Sequence, residues 1–253
     1  MCADPPMWLT ESIRLTLFTQ PPTVDIGVNW WQAVAGELPT SHTVQRLGPM
    51  LQQQGPIRGG YCNLSLQYQP GRIDWVLTPI VPADMKIDGF PNFGVYDGAA
   101  SAFIEFFAQW IRGAPVFNRL AVGSTLVLPV QDKADGYRRI QRYLPAVTLD
   151  PERSADFSYG INRFRQSETV PGLRINRLSR WSVAKLSGIR LEIGEPGMSR
   201  LMESPEGLSA CRLELDINTQ PERVEPFAQN VAEPLLNELL RFGREIVDHG
   251  DVP

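Results

Sequence analysis

The chain has 253 residues, 43% hydrophobic and 21% charged, with a formal net charge of −4. That length and composition suit a globular protein of one large domain or two small ones. The acidic balance excludes indiscriminate attraction of the whole chain to nucleic acid or to an anionic membrane.

The average hides a segregation. Residues 1–150 carry 11 basic and 12 acidic side chains, residues 151–190 carry 8 and 3, and residues 191–253 carry 5 and 13. A basic middle beside an acidic end marks a ligand site or two segments that neutralise each other. Cys2, Cys62 and Cys211 are odd in number and far apart, with neither a disulfide framework nor zinc spacing. A reducing cytoplasm is the expected compartment. The opening "MCADPPMWLTESIRL" has no basic segment leading into an apolar run, so no signal peptide is expected. No window reaches the ~18 apolar residues of a membrane span, so no membrane partner is expected.

In chain order, "ESIRLTLF" (11–18) alternates Ile13, Leu15 and Leu17 with polar residues, the period of a half-buried strand. "VDIGVNWWQAVAGE" (24–37) predicts a short helix with Asp25 as N-cap. Residues 38–58, rich in Pro, Gln and Gly, read as a long loop or irregular strand. "YCNLSLQYQPGRIDWVLTPI" (61–80) predicts a hairpin turning at Pro70-Gly71. A helix over 97–112 follows, capped by Asp97 and ended by Gly113, with Phe103, Phe106, Phe107, Trp110 and Ile111 on its apolar face. A buried strand (119–130) and a short polar helix (132–145) complete this half. The order β-α-β-β-α-β is that of a ferredoxin-like plait.

The second half predicts strands at 156–166, 173–186, 188–193 and 208–218, then a helix over 232–249 with Gly250 after it. On that helix Leu235, Leu239, Phe242 and Ile246 form a stripe, and Glu238, Arg241 and Glu245 have favourable surface spacings. The expected fold class is therefore α+β. A plait-like half (1–147) is followed by a mostly antiparallel sheet under a long C-terminal helix (148–253), the two packed as one unit.

Most catalytic chemistry has no residues to carry it. Two histidines, His42 and His249, cannot build a histidine-rich metal centre, and phosphate-cradling glycine loops are missing. The glycine pair in "IRGGYCN" (57–63) reads as a turn. Glu214 and Asp216, in "CRLELDIN" (211–218), could hold Mg²⁺ or Ca²⁺ with a third oxygen donor. The simpler reading is a charged outer face over buried Leu213, Leu215 and Ile217. Ser182-Val-Ala-Lys185 matches an S-x-x-K motif, but a strand sends those two side chains to opposite faces. No cofactor is expected.

The segment "YGINRFRQSETVPGLRINRLSRWSVAKL" (159–186) repeats Ile-Asn-Arg on either side of "ETVPG". Pairing about that turn brings Arg163 near Arg177, which is unfavourable unless something negative lies between them. Arg163, Arg165, Arg174, Arg177 and Arg180 are candidate contacts to nucleic-acid phosphate or another anion. The competing reading is that the acidic tail neutralises them.

"INRLSRW" (175–181), "CRLELDINTQPE" (211–222), "LLNELLRFGREIVDHGD" (235–251) and "PPMWLTESIRLTLF" (5–18) resemble segments of a sporadically distributed, uncharacterised bacterial family of roughly this length. The likeness covers the opening strand and the C-terminal third and departs over 38–96. It implies a bacterial cytoplasmic protein of patchy distribution, as for accessory or phage-defence genes, and transfers no catalytic residue. The expected function is non-catalytic, through association with a protein partner or a second copy of the chain. The alternative is a nucleic-acid-binding factor using the basic hairpin.

Overall fold

The structure, a computed structural model, describes residues 7–19, 29–45, 50–57, 60–81, 89–186, 189–193, 199–203 and 207–251. Cys2, Asp25 and the first glycine of the pair at 59–60 lie outside them.

The first half comprises β1 (Leu9–Thr19), α1 (Asn29–Ala35), β2 (Ser41–Gln45), β3 (Met50–Ile57), β4 (Cys62–Gln69), β5 (Arg72–Pro79), α2 (Tyr96–Arg112), β6 (Phe117–Val130) and α3 (Lys133–Gln141). The second comprises β7 (Ser158–Asn162), β8 (Arg165–Gln166), β9 (Arg174–Leu186), β10 (Ile189–Ile193), β11 (Ser199–Glu203), β12 (Leu208–Thr219) and α4 (Ala232–His249). The fold is mixed α and β. Ten strands form one antiparallel sheet in the order β2-β3-β4-β5-β1-β6-β12-β9-β7, with β8 also on β9. Strand β6 of the first half pairs along its length with β12 of the second, so the sheet runs through both. Among the described residues no helix is long and apolar enough to cross a membrane.

Residues 38–58, read as a long loop or irregular strand, resolve toward the strand side of that reading. They contain β2 and β3, which interpose two strands before the 61–80 hairpin. Strand β3 alternates strictly, burying Leu51, Gln53, Gly55 and Ile57. Buried glutamine and glycine hide that period from a reading based on apolar residues. The expected strand 156–166 is split into β7 and β8, and β10 pairs with the unexpected β11 in a separate two-stranded sheet.

Among the described residues, the four α-helices lie on one face of the large sheet. Ile13, Leu15 and Leu17 of β1, Trp75 of β5 and Leu213, Leu215 and Ile217 of β12 point to that face and are buried. Helix α2 covers it with Tyr96, Ala99, Ala100, Phe103, Phe107, Trp110 and Ile111, recurring at three- and four-residue intervals. Asp97 does not cap α2. The N-cap is Val95 without a side-chain bond, and Asp97 instead pairs with Arg244 of α4. Helix α4 buries Leu235, Leu236, Leu239, Leu240, Phe242 and Ile246 beside α2. Aromatic edges lock the layers: Trp75 meets Phe107 and Trp110 at ring distances of 5.6 and 5.3 Å, and Trp8, Tyr143 and Trp181 form a second cluster.

Candidate functional site

The arginine-rich hairpin is β7 and β8 against β9. Arg163 N–H donates to the Arg177 carbonyl at 3.2 Å, so the two arginines do face each other. The five arginines nevertheless do not share a surface. Alternation along the strands sends Arg163, Arg165 and Arg177 toward α4, while Arg174 and Arg180 emerge on the opposite, helix-free face.

On the helix side, acids from α4 and the residue after Gly250 separate the like charges. Arg163 grips Asp251 with two hydrogen bonds, of 2.5 and 3.0 Å, and the Tyr159 hydroxyl donates to the same carboxylate at 3.0 Å. The Arg163 bond holds the Asp251 carboxyl below the usual aspartate range. Glu245 sits 2.9 Å from Arg165, 3.5 Å from Arg177 and 3.0 Å from Arg241. Arg177 is 1% exposed, and none of its guanidinium nitrogens makes a hydrogen bond. Burial, reinforced by Arg165, lowers its pKa. The guanidinium groups of Arg165, Arg177 and Arg241 all lie within 5.8 Å of the Phe242 ring centre, which adds a cation–π component.

The turn is tied to the same helix by Glu238, which is 5% exposed rather than on the surface as its spacing suggested. Its carboxylate accepts from the Ser167 hydroxyl at 2.7 Å and from the Glu168 and Thr169 amides at 2.6 and 3.4 Å. Ser167 Oγ in turn accepts from the Thr169 and Val170 amides. Arg241 pairs with Glu168 at 2.9 Å and with Glu245, not with Glu238.

The helix-free face is polar. Arg174 pairs with Glu222 at 3.5 Å and Arg180 with Glu214 at 3.3 Å. Glu214 also accepts from Arg212, which reaches Glu11 at 3.1 Å. Burial raises the Glu11 pKa against the opposing pull of Arg212. Asp216 accepts one hydrogen bond, from Asn218 at 3.0 Å. Glu214 and Asp216 thus share this face, over buried Leu213, Leu215 and Ile217, as their alternation implied. Among the described residues no group of three or more His, Cys, Asp or Glu side chains is placed to hold a metal ion.

A cavity of about 370 Å³ opens on this face. Two rows of side chains line it across the strands: Val76, Arg14, Gly123, Asp216 and Leu178, and beside them Ser12, Thr125, Glu214 and Arg180. Among the described residues Arg14 makes no hydrogen bond or ion pair, and its Nε is buried without a partner there. No local pattern in "ESIRLTLF" separates this arginine from a solvated one.

Ser182 and Lys185 both lie on β9, three positions apart on a strand, so the S-x-x-K geometry does not assemble. Cys62 and Cys211 are both buried, and burial pushes the Cys211 thiol up to about 12. Compared with protein-family models, curated proteins and solved structures, the chain matches none.

Proposed function

We propose that this is a non-catalytic bacterial cytoplasmic protein that works by association, pairing with a second copy of itself along strand β2. The observation that carries the proposal is the state of that edge. Strand β2 ends the sheet, and among the described residues nothing pairs with its outer side. Its Ser41, His42, Thr43 and Val44 are all exposed. Leu38 and Val44, 70% and 59% exposed, place apolar surface beside it. Natural edges are commonly protected by lysine, proline or a bulge, and "SHTVQ" has none of these. An antiparallel copy would bring no like charges together and would continue the sheet across a two-fold axis. The antiparallel order β4-β5-β1-β6 supports reading the first half as a ferredoxin-like plait, to which the β2–β3 hairpin adds this edge.

Light scattering on a size-exclusion column tests the proposal. The mass should double as concentration rises, and Thr43→Lys should give a monomer with an unchanged melting temperature. A wild-type monomer at every concentration, or a dimer indifferent to Thr43→Lys, overturns it. The nucleic-acid reading of the hairpin is the weaker one, since each of its five arginines faces an acidic side chain. Filter binding at low salt separates the two readings. Retention with a salt slope that falls in Arg174→Ala or Arg180→Ala, the hairpin arginines on the open face, favours nucleic acid.

A further inference from the structure

Among the described residues, the cavity on the helix-free face holds an arginine without a partner and an aspartate with one oxygen uncommitted, on either side of a glycine. We infer that it is a binding site for a small zwitterion, an α-amino acid with an aliphatic side chain.

Geometry comes first. Arg14, Gly123 and Asp216 are successive residues of one row across β1, β6 and β12. A Cβ built on Gly123 would lie 3.1 to 3.3 Å from the Arg14 Nη2, Cζ and Nε. The guanidinium therefore lies close over β6, and a side chain at position 123 would push it aside. From there Asp216 is about one strand spacing away, ~4.8 Å. Arg14 and Asp216 make no ion pair with each other.

Nothing else described on the face satisfies them. Asp74, one row away, is committed to the Thr16 hydroxyl and to two bonds from Arg72. Glu214 is held by Arg180 and Arg212. Asp216 Oδ1 accepts from Asn218, which leaves Oδ2. Among the described residues, each site cation other than Arg14 is thus neutralised, and the uncommitted charges are one positive and one negative.

That balance selects the ligand. A phosphate would bring two negative charges against Glu214 and Asp216 with a single free cation to meet them. An amine alone would face Arg14. A carboxylate alone would leave Asp216 unanswered at the wall of the site. A molecule with a carboxylate and an ammonium on one carbon matches both ends, through charge-assisted hydrogen bonds to Arg14 and Asp216. The Ser12 and Thr125 hydroxyls stand beside the row. Val76 and Leu178 close its two ends with aliphatic surface, and Glu214 disfavours a second carboxylate on the ligand. The volume, about 370 Å³, lies at the small end of the roughly 300–1,000 Å³ of ligand pockets.

Isothermal titration of the intact protein with L-leucine, L-aspartate, isovalerate and isopentylamine tests the inference. L-leucine should bind saturably, and each of the other three at least tenfold more weakly. Arg14→Met and Asp216→Asn should each weaken L-leucine roughly ten- to a hundredfold, the loss of one charge-assisted bond. Gly123→Ala should weaken it too, by moving the guanidinium. The Arg14 Nε–Hε resonance, followed by NMR in the wild-type protein, should shift with L-leucine and so keeps the test independent of variants that fail to fold. Isovalerate binding as tightly as L-leucine, no saturable response to any ligand, or wild-type affinity in well-folded Arg14→Met would each overturn the inference. Thr43→Lys should bind L-leucine unchanged, so this outcome is separate from that of the dimer.

Discussion

Glu245 holds Arg177 from 3.5 Å, in a setting where the guanidinium makes no hydrogen bond and is 1% exposed. Removing a buried cation and removing its counter-charge then have different costs. Replacing a buried ion by an apolar side chain of similar volume is often neutral or stabilising, whereas stranding it costs about 3–5 kcal/mol. Arg177→Met should therefore change stability by less than about 1 kcal/mol, because Glu245 keeps Arg165 and Arg241. Glu245→Ala should cost at least about 2–3 kcal/mol, since three guanidinium groups around Phe242 lose their common acid. Urea unfolding of the two variants measures the asymmetry; equal losses would show that Arg177 is held by packing alone. Asp251 acts in a different way, through pH. Its carboxyl is depressed by Arg163, assisted by the Tyr159 hydroxyl and by Arg177. The folded carboxyl binds protons more weakly than the unfolded one, so the pair contributes fully above about pH 4. The contribution is lost as the pH falls below that range. Between pH 6 and pH 3 the wild-type protein should lose more unfolding free energy than Asp251→Asn. Parallel losses would mean that the carboxylate adds nothing. Glu233, depressed by Arg112, shifts both proteins alike and cancels in the comparison.

At the scale of elements, the approach of α2 to α4 depends on Gly243. A Cβ there would meet the Tyr96 hydroxyl at 2.6 Å, and Tyr96 is buried, with its pKa pushed up to about 12 by that burial. Helix propensity alone would favour alanine by ~1 kcal/mol, while overpacking a tight interface costs about 1–3 kcal/mol. The clash should win, so Gly243→Ala should lower stability, and Tyr96→Phe/Gly243→Ala should recover most of the loss. Thermal unfolding of the three variants gives the coupling; an additive double variant would place the strain elsewhere. Elements with strong local periodicity, such as β1, α2, β9 and α4, are legible in the sequence because burial of one face dictates their pattern. Strand β3 is not, because it buries Gln53 and Gly55 on the face where apolar residues are sought. Alternation also assigns Arg177 and Arg174 to opposite faces of β9. The partners stay hidden because they are long-range. Asp251 lies 88 residues beyond Arg163 and Glu238 lies 71 beyond Ser167, and the layer that joins them exists only after α4 packs. Arg14 is more hidden still, since the glycine it lies over is on β6, adjacent in the sheet but five strands later in the chain.

At the scale of the molecule, the charge segregation closes on itself. Arg163, Arg165, Arg174, Arg177 and Arg180 of the basic stretch are all met by acids of the last 63 residues, so the fold neutralises those charges internally and leaves β2 as an uncharged margin. A two-fold dimer through that margin has a specific register. Full overlap of the five-residue strand with its antiparallel copy centres the axis on Thr43, which then lies opposite Thr43 of the second copy. Directly opposed residues in an antiparallel pair have Cα atoms about 4.5–5.5 Å apart, within the range a disulfide spans. Thr43→Cys, made with Cys2→Ser, should therefore cross-link to a dimer on mild oxidation, while the buried Cys62 and Cys211 stay reduced. A cysteine at Ser41 faces Gln45 of the other copy in this register, so Ser41→Cys should cross-link poorly alone and well when mixed with Gln45→Cys. Efficient cross-linking of Ser41→Cys with itself would shift the axis by two residues. Failure of every pair, in a protein that light scattering finds dimeric, would move the interface away from β2 altogether.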